Sequence, residues 1–114
     1  MNIPTTHIIE RTAKACGVSV GDILGRRRGG ATALVARRMA MGLVCDLRPD
    51  LTFQIIGRVF RGRDHSTIMS ANKKAIKERA ENPAFAEKYD TIRADVLMWE
   101  PPAMPKEYAL EAAE

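Results

Sequence analysis

Apolar residues recur every three or four positions along most of this chain, and no stretch alternates apolar and polar residues over the length of a strand. A first helix is predicted from Pro4 to Ala15 and is ended by Gly17. A short second helix follows in SVGDIL, where Ser19 and Asp22 have the spacing of a capping box. The pattern predicts an all-α protein.

The longest apolar stripe predicts a helix from Ala33 to Leu47. It is formed by Val35, Met39, Leu43 and Leu47, with Ala36, Ala40 and Val44 next to it. The helix is expected to stop near RPD, because the residue before a proline avoids helical backbone angles.

Two further helices are separated by only three residues. The first, FQIIGRVF, spans residues 53–60 and can be capped by Thr52. The second is predicted from Asp64 to Glu81, after a turn that contains Gly62. This arrangement predicts a helix-turn-helix at about residues 53–81.

A last helix is predicted to begin at Asn82 as N-cap and Pro83 as its first residue. Its apolar stripe comprises Phe85, Tyr89, Ile92, Val96 and Trp99. We therefore expect one helical domain over residues 1–99, followed by a proline-containing acidic tail over residues 100–114.

Charge is unevenly distributed along the 114 residues. Residues 1–98 hold 17 Lys and Arg against 10 Asp and Glu, a net charge of +7, whereas residues 99–114 carry a net charge of −3. Arginine outnumbers lysine, and its planar fork suits phosphates and guanine edges. A polyanion is the partner class that this balance favours.

Other classes of protein are disfavoured by what the sequence lacks. It has no apolar run long enough to cross a membrane and no secretory signal, which predicts a cytoplasmic, nucleoid-associated protein. Cys16 and Cys45 lack the spacing of a metal site or redox pair, so buried free thiols are expected, with no metal or other cofactor.

The segment RGRDHSTIMS, residues 61–70, carries the main candidate chemistry. Asp64 is predicted to cap the helix by accepting the backbone N–H of Ser66 or Thr67, while His65, Ser66 and Thr67 point outward to base edges in a major groove. The segment could instead be only a well-capped helix start. Dense positive charge around it favours DNA contact: Arg58, Arg61, Arg63, Lys73, Lys74 and Lys77.

A second candidate is GRRRGGAT, residues 25–32. Arg26, Arg27 and Arg28 in a glycine-flanked loop suit a narrow minor groove, although a solvated basic loop is the alternative. Arg37 and Arg38 are expected to contact phosphates, unless one of them forms a surface ion pair. Asn72, on a stripe with Met69, Ile76 and Ala80, is interpreted as a buried amide rather than a base reader.

These motifs closely resemble the C-terminal DNA-binding domain of the bacterial chromosomal replication initiator DnaA. GRDHSTIM is similar to that family's GRDHTT signature, ARRMAM to its R-Q-hydrophobic-A-M stretch, and VSVGDILGRRR to its short helix and basic loop. The resemblance covers roughly residues 5–98. It implies a Trp-repressor-like helical fold that recognises an asymmetric DNA box.

By this resemblance, residues of the family's motifs are assigned roles residue by residue. Asp64, His65, Ser66 and Thr67 would read the major groove, and Arg28, assisted by Arg26 and Arg27, would read the adjacent minor groove. Arg37 and Lys74 match positions expected near the phosphate backbone.

The sequence departs from the family pattern at several places. Ser66 replaces a threonine, Arg38 a common glutamine and Cys45 a frequent lysine, and the basic loop is about one residue longer. The Gly-Lys-Ser/Thr phosphate loop of the initiator's ATPase does not occur, so no nucleotide partner is expected. The initial methionine and distinct tail favour a free-standing gene product, and a fragment of a longer protein is the alternative.

The favoured function is sequence-specific binding of double-stranded DNA without catalysis, regulating replication initiation or transcription. The alternative is an interaction protein or decoy that acts on replication initiation proteins and has vestigial DNA affinity. Catalysis is disfavoured, because His65 has only its sequence neighbours Asp64 and Ser66 as candidate partners. Single-strand binding is also disfavoured, because most of the few aromatic residues belong to apolar stripes.

Overall fold

The computed structural model describes residues 2–25 and 30–101, and within these ranges the chain forms six helices and no strand. They are α1 (Thr5–Cys16), α2 (Val20–Leu24), α3 (Gly30–Leu47), α4 (Phe53–Val59), α5 (His65–Glu81) and α6 (Pro83–Leu97). The predicted all-α class is confirmed for this part of the chain. The predicted tail, apart from its first two residues, lies outside the described residues.

Three helix starts are fixed by side chains that the sequence identified. The Ser19 hydroxyl accepts the N–H of Asp22 at 3.0 Å, and the Asp22 carboxylate accepts the N–H of Ser19 at 3.1 Å, which completes a capping box. Thr52 accepts the N–H of Ile55 at 3.2 Å. Asn82 accepts two N–H groups at the start of α6. Such local bonds are predictable because donor and acceptor lie within three residues of each other.

The long helix α3 occupies the centre of the fold and packs against all five other helices. Six consecutive residues, 39–44, are buried, so this part of the helix is enclosed on every side. Gly42 lies where α3 crosses α5, and a Cβ built there would stand 2.7 Å from the Cβ of Ala75. Small residues at this crossing therefore allow the two helices to approach closely.

The turn between α4 and α5 folds back over Gly57. The Gly57 carbonyl accepts the N–H of Gly62 at 3.0 Å and the N–H of Arg63 at 2.9 Å. Arg61 and Gly62 both have positive φ, 59° and 78°, which reverses the chain within three residues. The predicted helix-turn-helix is confirmed, and α5 leaves the turn with its first residues facing outward.

The predicted start of α3 is wrong, and one residue of its predicted apolar stripe, Val35, lies outside the core. Helix α1 begins after Pro4, which is its N-cap, and α3 begins at Gly30 rather than Ala33. A glycine costs less at a helix end than in its interior, so Gly30 can begin the helix in a stretch that had been predicted as loop. On α3 the buried face includes Ala33, Ala36 and Ala40, whereas Val35 is 36% exposed.

The stripe predicted for α6 is largely confirmed. Phe85, Tyr89, Ile92 and Val96 are buried. Trp99 lies beyond the helix, donates its N–H to the Val96 carbonyl at 3.0 Å and packs its ring near His7 of α1.

Replacing Asn82 with alanine is expected to lower the free energy of unfolding by about 1 kcal/mol, because two amides of α6 lose their side-chain acceptor. Urea unfolding followed by circular dichroism would measure the change. Asn82→Asp, which keeps an acceptor oxygen, should stay close to the original stability. An alanine variant as stable as the original would contradict the capping role.

Alkaline pH is expected to destabilise the fold through two acidic side chains that the fold shields from solvent, Cys45 of α3 and Tyr89 of α6. Burial raises the pKa of the Cys45 thiol from 9.0 to about 11, with Asp46 adding to the effect. Burial, followed by Asp46, also raises the pKa of Tyr89. Because the unfolded chain loses these protons first, the free energy of unfolding should hold steady below pH 9 and fall as pH rises toward 11.

Urea unfolding at several pH values between neutrality and pH 10.5 would test this dependence. Cys45→Ala should reduce the alkaline slope while leaving the neutral-pH baseline flat. A free energy of unfolding that stays constant across the alkaline range would contradict the proposed cause.

Candidate nucleic-acid interface

The first turn of α5 presents polar side chains to solvent. His65, Ser66 and Thr67 are exposed, whereas Ile68 is fully buried and anchors the turn to the core. The side chain of His65 is 49% exposed and that of Asp64 is 66% exposed. The outward orientation predicted for these residues is therefore confirmed, and the positive end of the helix dipole faces the same solvent region.

Asp64 occupies the N-cap position of α5 but makes no cap bond with its side chain. Its carboxylate instead accepts the hydroxyl of Ser66 and lies 3.2 Å from Nδ1 of His65. The predicted bond to the backbone N–H of Ser66 or Thr67 is therefore wrong, because the neighbouring hydroxyl takes the acceptor. That hydroxyl bond is also the main cause that lowers the pKa of Asp64, so the group is a carboxylate at neutral pH.

An open cleft of about 430 Å³ lies between α3 and the start of α5. Its lining combines hydroxyls, cations and a few apolar groups: Leu34, Arg37, Arg38, Met41, Arg63, Ser66, Thr67, Ser70, Ala71 and Lys74. Residues far apart in sequence thus meet at one surface. Positive charge from two helices surrounds the hydroxyls of α5.

The two arginines of α3 have different partners. Arg38 forms an ion pair with Glu78 of α5, with 2.9 Å between Nη1 and Oε2, as predicted for one member of this pair. Arg37 donates from Nε to the Ile23 carbonyl at 3.0 Å and from Nη2 to the Asp22 carbonyl at 2.8 Å. Arg37 is thereby held against the end of α2 at the edge of the cleft.

Arg63 directly precedes the candidate segment at Asp64 and contacts Gly25, the residue before the candidate segment at Arg26. Its guanidinium donates to the Gly25 carbonyl at 2.6 Å and the Phe60 carbonyl at 2.8 Å. The predicted minor-groove residues Arg26, Arg27 and Arg28 lie outside the described residues. Gly25, which precedes them, is nevertheless placed directly beside the start of α5.

The remaining predicted cations lie on the solvent side of the helix-turn-helix. Lys73 and Lys74 are exposed on α5, and Lys74 lines the cleft. Arg61 is exposed in the turn, where its left-handed backbone turns the chain toward α5. These residues suit phosphate contacts because their charges are accessible along the same motif.

Sequence reasoning missed four residues of the cleft: Leu34, Met41, Ser70 and Ala71. Ser70 is exposed one turn after Ser66 and Thr67, and Leu34 is 41% exposed one turn before Arg37 and Arg38. Helical spacing was the available signal, since residues three or four apart share a face.

The interpretation of Asn72 as a buried amide is wrong. Asn72 is half-buried, and its predicted stripe companions Met69 and Ile76 are 37% and 62% exposed. The packing face of α5 instead contains Ile68 and Ala75. Asn72 lines a separate groove with Cys45, Ile76 and Tyr89, away from the cleft.

The cysteines are free thiols, as predicted, but both are half-buried rather than buried. Across residues 2–25 and 30–101 there is no group of three or more His, Cys, Asp or Glu placed to hold a metal ion. In the same ranges, none of the helices combines the length and the apolar character that a membrane crossing requires.

Comparison with known proteins places the cleft in a family context. Residues 5–75 match the family model described as "Bacterial dnaA protein helix-turn-helix". This segment contains α1 to α4, the turn and the first part of α5, and so includes every described residue of the candidate interface.

Individual relatives agree with the family match. The chain is 44% identical over 80 residues to the chromosomal replication initiator protein DnaA of Leifsonia xyli subsp. xyli, and the aligned region is 68% of this chain and 16% of that protein. The same protein of Acinetobacter baumannii strain AYE is 46% identical over 77 residues, which are 66% of this chain and 16% of the relative.

The initiator of Neisseria meningitidis serogroup C is 36% identical over 87 residues, which are 75% of this chain and 16% of the relative. The chain thus spans about a sixth of the length of these relatives. With a family model that matches most of its residues, the chain belongs to the bacterial DnaA helix-turn-helix family.

Proposed function

We propose that this chain is a non-enzymatic, sequence-specific binder of double-stranded DNA that recognises an initiator-type box and regulates replication initiation or transcription. The observation that carries the proposal is the exposure of His65, Ser66 and Thr67 on the first turn of α5, with Lys74 and the α3 arginines around them. The relatives that it matches are named chromosomal replication initiator proteins.

In this proposal the first turn of α5 enters a major groove. The Thr67 methyl can contact a thymine methyl, Ser66 can bond a base edge or phosphate, and the Asp64 carboxylate can accept from cytosine N4. Because Nδ1 of His65 faces the Asp64 carboxylate, the other ring nitrogen, Nε2, can accept from a base-edge amino group such as adenine N6. Short side chains suit this position, because the helix end must approach the bases closely.

The phosphate contacts fall to cations around the cleft. Lys73 and Lys74 on α5 and Arg61 in the turn are exposed, and Lys74 lines the cleft together with Arg37 and Arg38. The ion pair with Glu78 leaves Arg38 less available than Lys74. These contacts supply affinity and orientation, whereas the bases read by α5 supply specificity.

The segment Arg26 to Arg28 is proposed to enter the neighbouring minor groove. Gly25, the residue before this segment, accepts a hydrogen bond from Arg63, which precedes Asp64, and this contact beside the start of α5 supports the proposal. A narrow A·T-rich minor groove has enhanced negative potential that favours an inserted arginine.

Selection from a random pool of duplexes would test the proposed function. The expected result is enrichment of one asymmetric sequence with an A·T-rich part beside the bases read by α5. Binding without enrichment of any sequence would contradict it, and would favour the alternative of an interaction protein that acts on initiation proteins.

Replacing Arg28 with alanine is expected to weaken binding most on duplexes whose minor groove is A·T-rich. The negative potential of such a groove attracts the arginine, and alanine carries no charge to be attracted. Fluorescence anisotropy with the selected duplex, and with a version whose A·T part is replaced by G·C pairs, would measure the difference. An equal loss on both duplexes would contradict a minor-groove role.

A further inference from the structure

The C-terminal end of α2 presents four consecutive backbone carbonyls, those of residues 22–25, and two arginines from elsewhere in the chain bind all four. Arg37 of α3 takes the first two carbonyls. Arg63 takes the last two, at 3.2 Å from Nη1 to the Leu24 oxygen and 2.6 Å from Nη2 to the Gly25 oxygen. Carbonyls at a helix C-terminus lack intrahelical donors, and cations stabilise this end of the helix dipole.

Arg63 also reaches a third element with the same group. Its Nη1 donates to the carbonyl of Phe60, the C-cap residue of α4, at 2.8 Å. One guanidinium therefore joins the end of α4 to the end of α2, immediately before the N-cap of α5. Along the chain, Arg63 lies 39 residues from Leu24 and 38 residues from Gly25, its two acceptors at the end of α2.

The chemistry of this link requires an arginine. Nη1 of the planar guanidinium binds the carbonyl oxygens of Leu24 and Phe60, and Nη2 binds that of Gly25. All three bonds are charge-assisted, because the donor is a cation. A lysine offers its donors from a single nitrogen on a flexible stem, so it cannot span the same set of oxygens. Arg63 is half-buried, which further favours a structural partner over a phosphate.

We propose that Arg63 is a positioning residue that sets the distance and orientation between the end of α2, at Gly25, and the first turn of α5. The inference rests on the proposed function, because it concerns how two DNA-reading parts engage one duplex together. When Gly25, from which the Arg26–Arg28 segment continues, is held beside α5 before binding, the contact proposed for Arg28 forms at a higher effective concentration once α5 has bound.

A thermodynamic cycle tests the proposal on DNA. The factor by which Arg28→Ala weakens binding to the pool-selected duplex is measured in the original chain, in Arg63→Met and in Arg58→Met. Arg58 is exposed on α4, so its substitution removes the same charge from the same motif without touching the carbonyls of α2. Thr67→Ala is measured in the same three backgrounds.

The expected factor for Arg28→Ala is about 10-fold or more in the original chain and in Arg58→Met, but within about 2-fold of no effect in Arg63→Met. The factor for Thr67→Ala should be the same in all three, because the α5 contact does not depend on the link. A simple loss of stability would leave both factors unchanged. An undiminished Arg28→Ala factor in Arg63→Met would overturn the proposal.

A second measurement needs no DNA. The amide of Gly25 donates to the Gly21 carbonyl at 2.7 Å, and its hydrogen exchange reports opening of the end of α2. Arg63→Met should accelerate this exchange by about 5-fold or more, with Arg63→Lys intermediate and Arg58→Met unchanged. Unchanged exchange in a folded Arg63→Met chain would overturn the link itself.

The two measurements separate the possible failures. If the original chain shows no sequence preference but Gly25 exchange responds to Arg63, the proposed function fails and the link between α2 and α4 stands. If Arg63→Met does not fold, Arg63→Lys enters the same cycle, where a reduced factor for Arg28→Ala supports the proposal and a full factor overturns it.

Discussion

Replacing Gly57 with alanine is expected to abolish the helix-turn-helix or to cost at least about 3 kcal/mol of stability. A Cβ at this position would lie 2.1 Å from the backbone oxygen of Arg63, and backbone at a hydrogen-bonded turn cannot move away as a flexible side chain can. The turn would have to open, which would break the bonds from Gly62 and Arg63 to the Gly57 carbonyl.

Gly21→Ala provides the matched control for this substitution. Its Cβ would meet only the Ser19 hydroxyl at 3.6 Å, an ordinary contact, and alanine favours helix over glycine. Urea unfolding should therefore find Gly21→Ala as stable as the original chain or slightly more stable. A Gly57→Ala chain with unchanged stability would show that the close approach of the turn is wrong.

The second large effect is expected from the first turn of α5. Replacing His65 or Thr67 with alanine should each remove about 1–3 kcal/mol of discrimination at one base position, because these exposed side chains are the proposed base readers. The effect would be measured as the ratio of affinities for the selected duplex and its single-base variants. Overall folding should be unaffected, since neither side chain is buried.

Lys74→Ala is the matched control for base reading. Lys74 lines the same cleft but carries a charge suited to phosphate, so its loss should weaken binding uniformly across sequences. It should also reduce the log–log salt slope by about 1. If His65→Ala and Thr67→Ala produced the same sequence-blind loss as Lys74→Ala, they would not be base readers.

Local signals in the sequence were sufficient for much of the fold. The caps at Ser19, Thr52 and Asn82 depend on side chains and amides two or three residues apart, and the helix-turn-helix depends on a short turn with Gly62. The outward orientation of His65 and Thr67 followed from their position in the first turn of α5. In each case the determining contact is close in sequence.

The errors arose where competing or distant contacts decide the outcome. The Asp64 carboxylate accepts the Ser66 hydroxyl in place of a backbone amide. The sequence shows both candidate donors but does not indicate which of them the carboxylate binds. The face on which α5 packs is set by Ile68 and Ala75 against α3, which left Ile76 outside. Amphipathic spacing alone did not distinguish these two faces.

The role of Arg63 was not predictable from local pattern. Its basic character suggested a DNA contact, but its partners Leu24 and Gly25 lie 39 and 38 positions away and are backbone oxygens, which any sequence supplies. Only the packing of α2 beside the turn brings them together. The same holds for Arg37, whose acceptors are carbonyls 14 and 15 residues distant.

The central claim is that this chain reads a DNA sequence with the first turn of α5. The most direct test is the ratio of dissociation constants for the pool-selected duplex and a scrambled duplex of equal composition, measured across a range of salt concentrations. We expect a preference of at least about 10³-fold for the selected duplex and a log–log salt slope near −0.9 for each phosphate neutralised. Equal affinities for the two duplexes at every salt concentration would contradict it.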